Sequence, residues 1–219
     1  MATESYHFYT IETPSEGLYV SKGSKFISYA IPLTSSDDIK QHFNHIKTLH
    51  PKARHHCYAY RIGIHGNNFR VNDDGEPSGT AGKPILGQID HFKLCNVIIF
   101  VVRYFGGVLL GTSGLITAYK MGAKNAIELA TIIEKPIGCV YHLASDVVSI
   151  QIIMGTLRKL QIAIDKMELT FDPHIEFFVP NKDKITIFTK LKSQYEKISM
   201  SDIGDPLDIR NCEITIINK

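Results

Sequence analysis

The segment Asn96–Tyr104 reads NVIIFVVRY and holds six apolar residues in succession, Val97 to Val102. β-branched and aromatic side chains of this kind favour extended chain. With no polar alternation, neither face of such a strand can meet water. It must be a central strand covered on both sides. That requirement calls for a layered sheet-and-helix fold, and the flanking sequence supplies the layers. Ile39, Phe43, Ile46 and Leu49 fall at spacings of four, three and three, the stripe of an amphipathic helix. Ser35 and Asp38 form a capping box ahead of it, and Pro51 stops it. Leu115, Ile116, Tyr119, Ala123, Ala126, Ile127 and Ala130 give a second stripe. A third helix is predicted over Thr80–Phe92, with Ile85, Leu86 and Ile89 inward. Strands are predicted at Tyr6–Glu12, at Leu18–Ser21 after a Pro14–Gly17 turn, and at Lys25–Leu33 and His55–Ile64. Alternation along the last puts His55, Cys57, Ala59 and Arg61 on one face, with His56, Tyr58, Tyr60 and Ile62 on the other.

Glu134–Gly138 (EKPIG) marks a boundary that divides the chain into residues 1–135 and 136–219. Beyond it come strand Cys139–Ala144, helix Asp146–Leu160, strands Ile162–Leu169 and His174–Val179, a polar helix over Lys182–Lys192, and strand Cys212–Ile217. This βαββαβ order is that of ferredoxin-like domains. The second half shows no glycine-rich loop and no cluster of catalytic residue types.

Apolar residues at 44% and charged residues at 21% describe an ordinary globular chain with a packed core. A formal charge of +2 neither demands nor excludes nucleic acid. The four cysteines are far apart with no CxxC pair, which argues against a zinc finger, a redox pair or a disulfide framework. The opening MATESYHFYT lacks a basic-then-apolar leader, and no apolar run approaches the roughly 20 residues of a membrane span. The expectation is a cytoplasmic protein without a membrane association.

Two stretches carry candidate chemistry. The first, Asn72–Leu86, reads NDDGEPSGTAGKPIL, a composition that no core can use. Its motif loop comprises Asp73, Asp74, Gly75, Glu76, Pro77, Ser78, Gly79 and Thr80. Asp73, Asp74 and Glu76 are candidate ligands for a hard cation, against a structural reading in which Asp-Gly takes positive φ and Ser78 or Thr80 caps the next helix. The structural reading is preferred, and no metal is assigned. The second stretch, Val102–Tyr119, runs from strand through glycines into a helix, a setting that favours anions. It departs from a nucleotide P-loop, because Thr112 stands where the lysine belongs and Val108–Leu110 are apolar. Candidate anion, RNA or partner contacts are Lys83, Arg103, Tyr104, Gly106, Gly107, Gly111, Ser113 and Gly114, with His55 and Arg61 on the nearby strand. Arg54, Arg70, Lys120 and Lys124 add positive charge, and Tyr58, Tyr60, Phe69 and Tyr104 offer stacking surfaces. His55 and Cys57 share a face, but nothing implies a depressed thiol pKa. No GxSxG elbow occurs, and the sequence assigns no cofactor, no catalytic residue and no oligomeric state.

Taken together, KFIS at Lys25–Ser28, HHCYAYRIG at His55–Gly63, DDGEPSGTAGKPIL at Asp73–Leu86 and RYFGGVLLGTSGL at Arg103–Leu115 resemble the IMPACT/YigZ family. The resemblance is strong over residues 15–131. The rest is similar to the small C-terminal domain of the bacterial-type, two-domain members. It implies an α+β protein: an N-terminal domain of the ribosomal-protein-S5 domain-2 type, then a ferredoxin-like one. Two positions depart from the family, which usually has a lysine at Leu109 and a glycine at Ser113. The eukaryotic members act in translation regulation through an additional N-terminal RWD domain; the family motif begins near Lys25 here, so that domain and its role are not expected. The expected function is a non-catalytic regulatory or binding protein that contacts RNA, the ribosome or a translation factor. The alternative is an enzyme for a small phosphorylated or nucleotide-like substrate, using a carboxylate or metal at Asp73, Asp74 or Glu76.

Overall fold

A computed structural model describes residues 6–64 and 66–217. Residues 1–5 of the stretch read for a leader lie outside the described residues. The chain clusters into two compact units, Phe8–Lys135 and Pro136–Lys219 with Met1–His7. The elements of the first are β1 (His7–Ile11), β2 (Ser15–Ser21), β3 (Ser24–Pro32), α1 (Ile39–Leu49), β4 (His55–Ile62) and β5 (Asn68–Asn72). There follow α2 (Gly82–His91), β6 (Val97–Tyr104), α3 (Gly111–Glu128) and β7 (Ile132–Pro136). Five strands form an antiparallel sheet in the order β2-β3-β6-β4-β5, while β1 pairs with β7 in a separate two-stranded ladder.

The apolar run does what its composition requires. β6 lies in the middle of the sheet and is buried from Val97 to Arg103. Val97, Ile99 and Val101 face a core shared with α2 and α3 through Ile85, Ile89, Leu115, Tyr119 and Ala123. Ile98, Phe100 and Val102 face a second core under α1, closed by Ile46 and Phe43. The β4 alternation holds too: Cys57 and Ala59 enter the first core, Tyr58, Tyr60 and Ile62 the second.

Several local readings change. The residues expected to turn at Pro14–Gly17 belong to β2, because Ser15–Gly17 pair with Ser28–Ala30. Gly17 serves close packing instead of a turn, since a Cβ there would lie 2.5 Å from the Ala126 nitrogen. Ser35 accepts from the Asp37 N–H, not from Asp38, because a short 3-10 turn at Ser36–Asp38 precedes α1. Leu49 and Ile116 are exposed, at the edges of their stripes, while Ala118 and Gly122 join the buried face of α3. Glu134–Pro136, read as part of a boundary, is strand. Strand β5 was not foreseen, because Asn68–Asn72 is polar and lies at the sheet edge.

The second unit contains β8 (Gly138–Ala144), α4 (Val147–Lys159), β9 (Ile164–Glu168), β10 (His174–Pro180), α5 (Lys184–Glu196) and β11 (Glu213–Ile217). The strands form an antiparallel sheet in the order β11-β8-β10-β9. Asp146 caps α4 by accepting from the Ser149 N–H at 3.0 Å. Ile150, Ile153 and Leu157 of α4 pack with Ile187, Phe188 and Leu191 of α5 on Tyr141, Leu143, Ile175 and Phe177. The helix expected to be polar therefore carries a buried apolar stripe.

Candidate functional site

The acidic loop folds around Asp73. Asp74 and Gly75 take φ of 40° and 84°, a turn closed by the Glu76 N–H donating to the Asp73 carbonyl at 2.9 Å. The Asp73 carboxylate then receives three backbone N–H groups: Gly79 on Oδ2 at 2.8 Å, and Ala81 and Gly82 on Oδ1 at 3.0 and 2.9 Å. The last two open α2, so its cap is a residue well upstream, and neither Ser78 nor Thr80. Thr80 Oγ1 donates to the Pro77 carbonyl instead. Burial alone would raise the Asp73 pKa, but the donors Gly79, Gly82 and Ala81, with Lys83 nearby, hold it below the usual carboxylate value. Asp74 Oδ2 accepts from the His56 N–H at 2.7 Å, and its carbonyl pairs with His55 Nδ1 at 2.8 Å. The turn is thereby fastened to β4.

Glu76 goes inward. Its Oε1 accepts from Arg103 Nη1 at 2.7 Å and from the Tyr119 hydroxyl at 2.8 Å, with His55 Nε2 at 3.9 Å. The Glu76 side chain is 3% exposed and that of Arg103 is 9%. His55 faces Arg103 directly in the β4–β6 register, and Phe26 does so from β3. The guanidinium lies 5.7 Å from the ring centres of both Phe26 and Phe105. Each acid of the loop is thus already engaged, on backbone N–H groups or on Arg103. Among the described residues these three carboxylates do not converge as a metal cluster.

Cys57 lies beneath this group, with its Sγ 3.0 Å from the Asp73 carbonyl and 3.4 Å from the Tyr119 hydroxyl, the two acceptors within reach of its single S–H. Burial pushes its thiol pKa far up, as it does that of Tyr119. A neutral, fully buried thiol has no nucleophilic character.

Above Arg103 opens a pocket of about 240 Å³ lined by Arg54, His55, Arg103, Phe105 and Leu109. Arg54 is exposed at its rim, and Leu109, 82% exposed, stands two residues before α3. Of the residues singled out by sequence, His55 and Arg103 meet here with Glu76 behind them. Tyr104 does not, because adjacent strand positions point to opposite faces. Its hydroxyl pairs with His50 Nδ1 at 2.9 Å on the α1 side. Arg61 lies six positions along β4, roughly 20 Å away. It binds Asp90 at 2.7 Å and stacks on Phe69. Tyr58 and Tyr60 are buried and offer no stacking surface. Gly106 donates its N–H to Ser24 Oγ at 3.1 Å and packs on the β2–β3 turn. Gly107 and Gly111 adopt positive φ of 88° and 70° on the way into α3, whose first turn holds Ser113 and Gly114. Leu110, at the N-cap of α3, offers no side-chain acceptor. Lys83 is exposed on the first turn of α2 and is not among the pocket's lining residues.

Tyr119 was legible only as one member of an apolar stripe. The available signal was its hydroxyl, which in a stripe of alanine, glycine and leucine must find a partner. Arg54, singled out by sequence only as one of several positive charges, lines the pocket, whereas Phe105 had no sequence signal of its own.

Residues 22–127 match the family model described as the Impact N-terminal domain. The chain is 30% identical over 176 residues to the IMPACT family member YvyE of Bacillus subtilis, covering 80% of this chain and 81% of that one. It is 37% identical over 145 residues to an IMPACT family member of Haemophilus influenzae, covering 65% and 70%. A solved crystal structure, described as that of a hypothetical protein, superposes with a TM-score of 0.71. It is 26% identical and covers 98% of this chain and 99% of that one.

Proposed function

The chain belongs to the IMPACT family, and we propose that it is a non-catalytic regulatory or binding protein of translation. It contacts RNA, the ribosome or a translation factor through the pocket above Arg103. The observation that carries this reading is the convergence of Arg54, His55 and Arg103 on one concave surface. Glu76 offsets the charge of Arg103 and fixes its position, which leaves Arg54 to set the sign at the rim, with His55 beside it. The N-terminal end of α3 opens two residues after Leu109 and favours an anion in the same place. Phosphate or carboxylate groups are therefore the chemistry this pocket suits. The protonated thiol and the engaged carboxylates speak against the enzymatic alternative at Asp73, Asp74 or Glu76.

We read residues 1–135 as an IMPACT N-terminal domain of the ribosomal-protein-S5 domain-2 type and 136–219 as a ferredoxin-like domain. The βαββαβ order and the β11-β8-β10-β9 arrangement support the second reading. Among the described residues no helix is long and apolar enough to cross a membrane, and a cytoplasmic location fits the proposed role.

The test uses Arg54→Glu, because Arg54 is exposed and holds no part of the core. Wild-type protein is expected to co-sediment with ribosomes, or to retain RNA on a filter, in a salt-dependent way. Arg54→Glu is expected to lose most of that binding with an unchanged melting curve. Equal retention of both proteins under every condition would refute the role of the pocket.

A further inference from the structure

The second unit holds a cluster that the sequence scatters. His142 lies on β8, and His174 and Glu176 lie two residues apart on β10. In the antiparallel register His142 faces Glu176 directly, and His174 is its diagonal neighbour. Alternation puts all three on the sheet face opposite the apolar core, since Tyr141, Leu143, Ile175 and Phe177 point the other way. One ligand atom from each lies within 4.8 Å of the other two. The two imidazole rings sit 4.5 Å apart, centre to centre, inclined at 32°.

His174 is the decisive member. It is 9% exposed, and its Nδ1 lies 2.7 Å from the Asp172 carbonyl, an acceptor that requires the proton on Nδ1. In the neutral ring Nε2 is then the nitrogen with a lone pair, and among the described residues that nitrogen is buried without a hydrogen-bond partner. A buried acceptor left unpaired carries a desolvation penalty that native proteins avoid. A ring that donates one N–H to a backbone carbonyl and turns its other nitrogen on a neighbouring imidazole and carboxylate is arranged as metal-binding histidines are.

We propose that His142, His174 and Glu176 form a binding site for a divalent first-row transition ion, with zinc the best match. Two imidazoles and one carboxylate are a zinc ligand set that keeps a further position open for water or substrate. Tetrahedral coordination at about 2.1 Å places ligand atoms roughly 3.4 Å apart. Closing the present spacing to that value takes side-chain rotation on two paired strands. Lys166 Nζ, 3.3 Å from Glu176 Oε1, is the cation now nearest the carboxylate. Its side chain is 61% exposed and free to swing into solvent as the ion enters. Calcium and magnesium are disfavoured, because they prefer oxygen ligands.

The experiment titrates zinc ions alone into chelator-stripped full-length protein by calorimetry, with cobalt absorption as a coordination readout. One saturable zinc per chain is expected, together with the intense visible bands of low-coordinate cobalt. His142→Ala and Glu176→Gln should each weaken zinc at least tenfold while leaving the far-UV spectrum and melting temperature near wild type. Lys166→Ala should tighten it several-fold by removing the competing ammonium. That last result is not expected of adventitious binding to histidines elsewhere on the surface. Absence of saturable binding in the wild type, or equal affinity in wild type, His142→Ala and Glu176→Gln, would overturn the assignment.

Discussion

Each unit sets a carboxylate and histidine chemistry against an antiparallel sheet, and the two differ in how completely those groups satisfy one another. In the first unit Glu76 is claimed by Arg103 and Tyr119, and Asp73 by three backbone N–H groups. In the second unit the Glu176 carboxylate is paired with the solvent-exposed Lys166, and among the described residues His174 Nε2 has no hydrogen-bond partner. The first arrangement is closed and holds a fold. The second is open and receptive. The surrounding layers explain why both persist. Helices cover both faces of the first sheet, so any charge there must be paired to be buried at all. The core of the second unit lies on one sheet face, and the other face carries His142, His174 and Glu176 together with Val140 and Phe178.

The largest expected effect is therefore Glu76→Ala. It would strand the Arg103 guanidinium in a buried site and remove the acceptor for Tyr119. Breaking one side of such a pair costs about 3–5 kcal/mol, to be read from urea unfolding of the full chain. A loss below about 1 kcal/mol would mean that water replaces the carboxylate, and the contrast between closed and open clusters would fail. Next comes Gly106→Ala. A Cβ there would lie 1.9 Å from the Gly23 carbonyl carbon and 2.1 Å from the Ser24 nitrogen, both backbone atoms that cannot swing aside. The expected destabilisation is about 3 kcal/mol, from overpacking alone. A near-neutral result would show that the β2–β3 turn moves freely away from the strand end that carries Arg103.

Asp73→Ala removes the acceptor for three N–H groups, two of them at the start of α2, and a lost cap of this kind costs about 1–2 kcal/mol. Its pH dependence supplies a sharper test. Because the folded pKa of Asp73 is depressed, its contribution is fully present above the unfolded-chain value of about 3.9. The contribution is lost as pH falls through the lower, folded value. Wild type and Asp73→Ala should thus differ in stability at neutral pH and converge in acid. A difference that persists unchanged to the acid limit would assign the effect to packing instead of the carboxylate. In the second unit Glu176→Gln is expected to change stability by less than about 1 kcal/mol, since the glutamine keeps the shape of the side chain and its partner Lys166 is 61% exposed and can turn to water.

These two clusters were unequally legible in the sequence, for a reason that lies in chain distance. β6, α3 and the two faces of β4 announce themselves through local periodicity, and the turn at Asp74–Gly75 through residue type. The partners of Glu76 do not. Arg103 and Tyr119 stand 27 and 43 residues away, and only the strand register brings them together. The zinc ligands are harder still, because His142 is separated from His174 and Glu176 by a helix and a strand and has no metal-like neighbour in sequence. Placing them needs the β8–β10 pairing residue by residue. Helix capping misled for a similar reason: Ser78 and Thr80 are good local caps, and a carboxylate further back in the loop displaces both.

The smallest expected effect concerns the pocket itself, at Leu109→Lys. The family usually carries a lysine at this position, and here an 82% exposed leucine lines the pocket beside Arg54 and His55. Being so exposed, the leucine contributes little to the core, and the substitution should leave stability unchanged. Its effect should fall on polyanion binding. One added phosphate contact steepens the dependence of log affinity on log salt by about 0.9, and tightens binding roughly three- to tenfold at low salt. The measurement is RNA retention by wild type and Leu109→Lys across a salt series. A steeper slope would show that the pocket reads phosphate and that this chain has weakened, not abolished, an anion contact. An unchanged slope with intact binding would move the phosphate contact away from Leu109 altogether. In either case the open rim would be where variation is tolerated, while the Glu76–Arg103–Tyr119 group beneath it is held fixed by its own bonds.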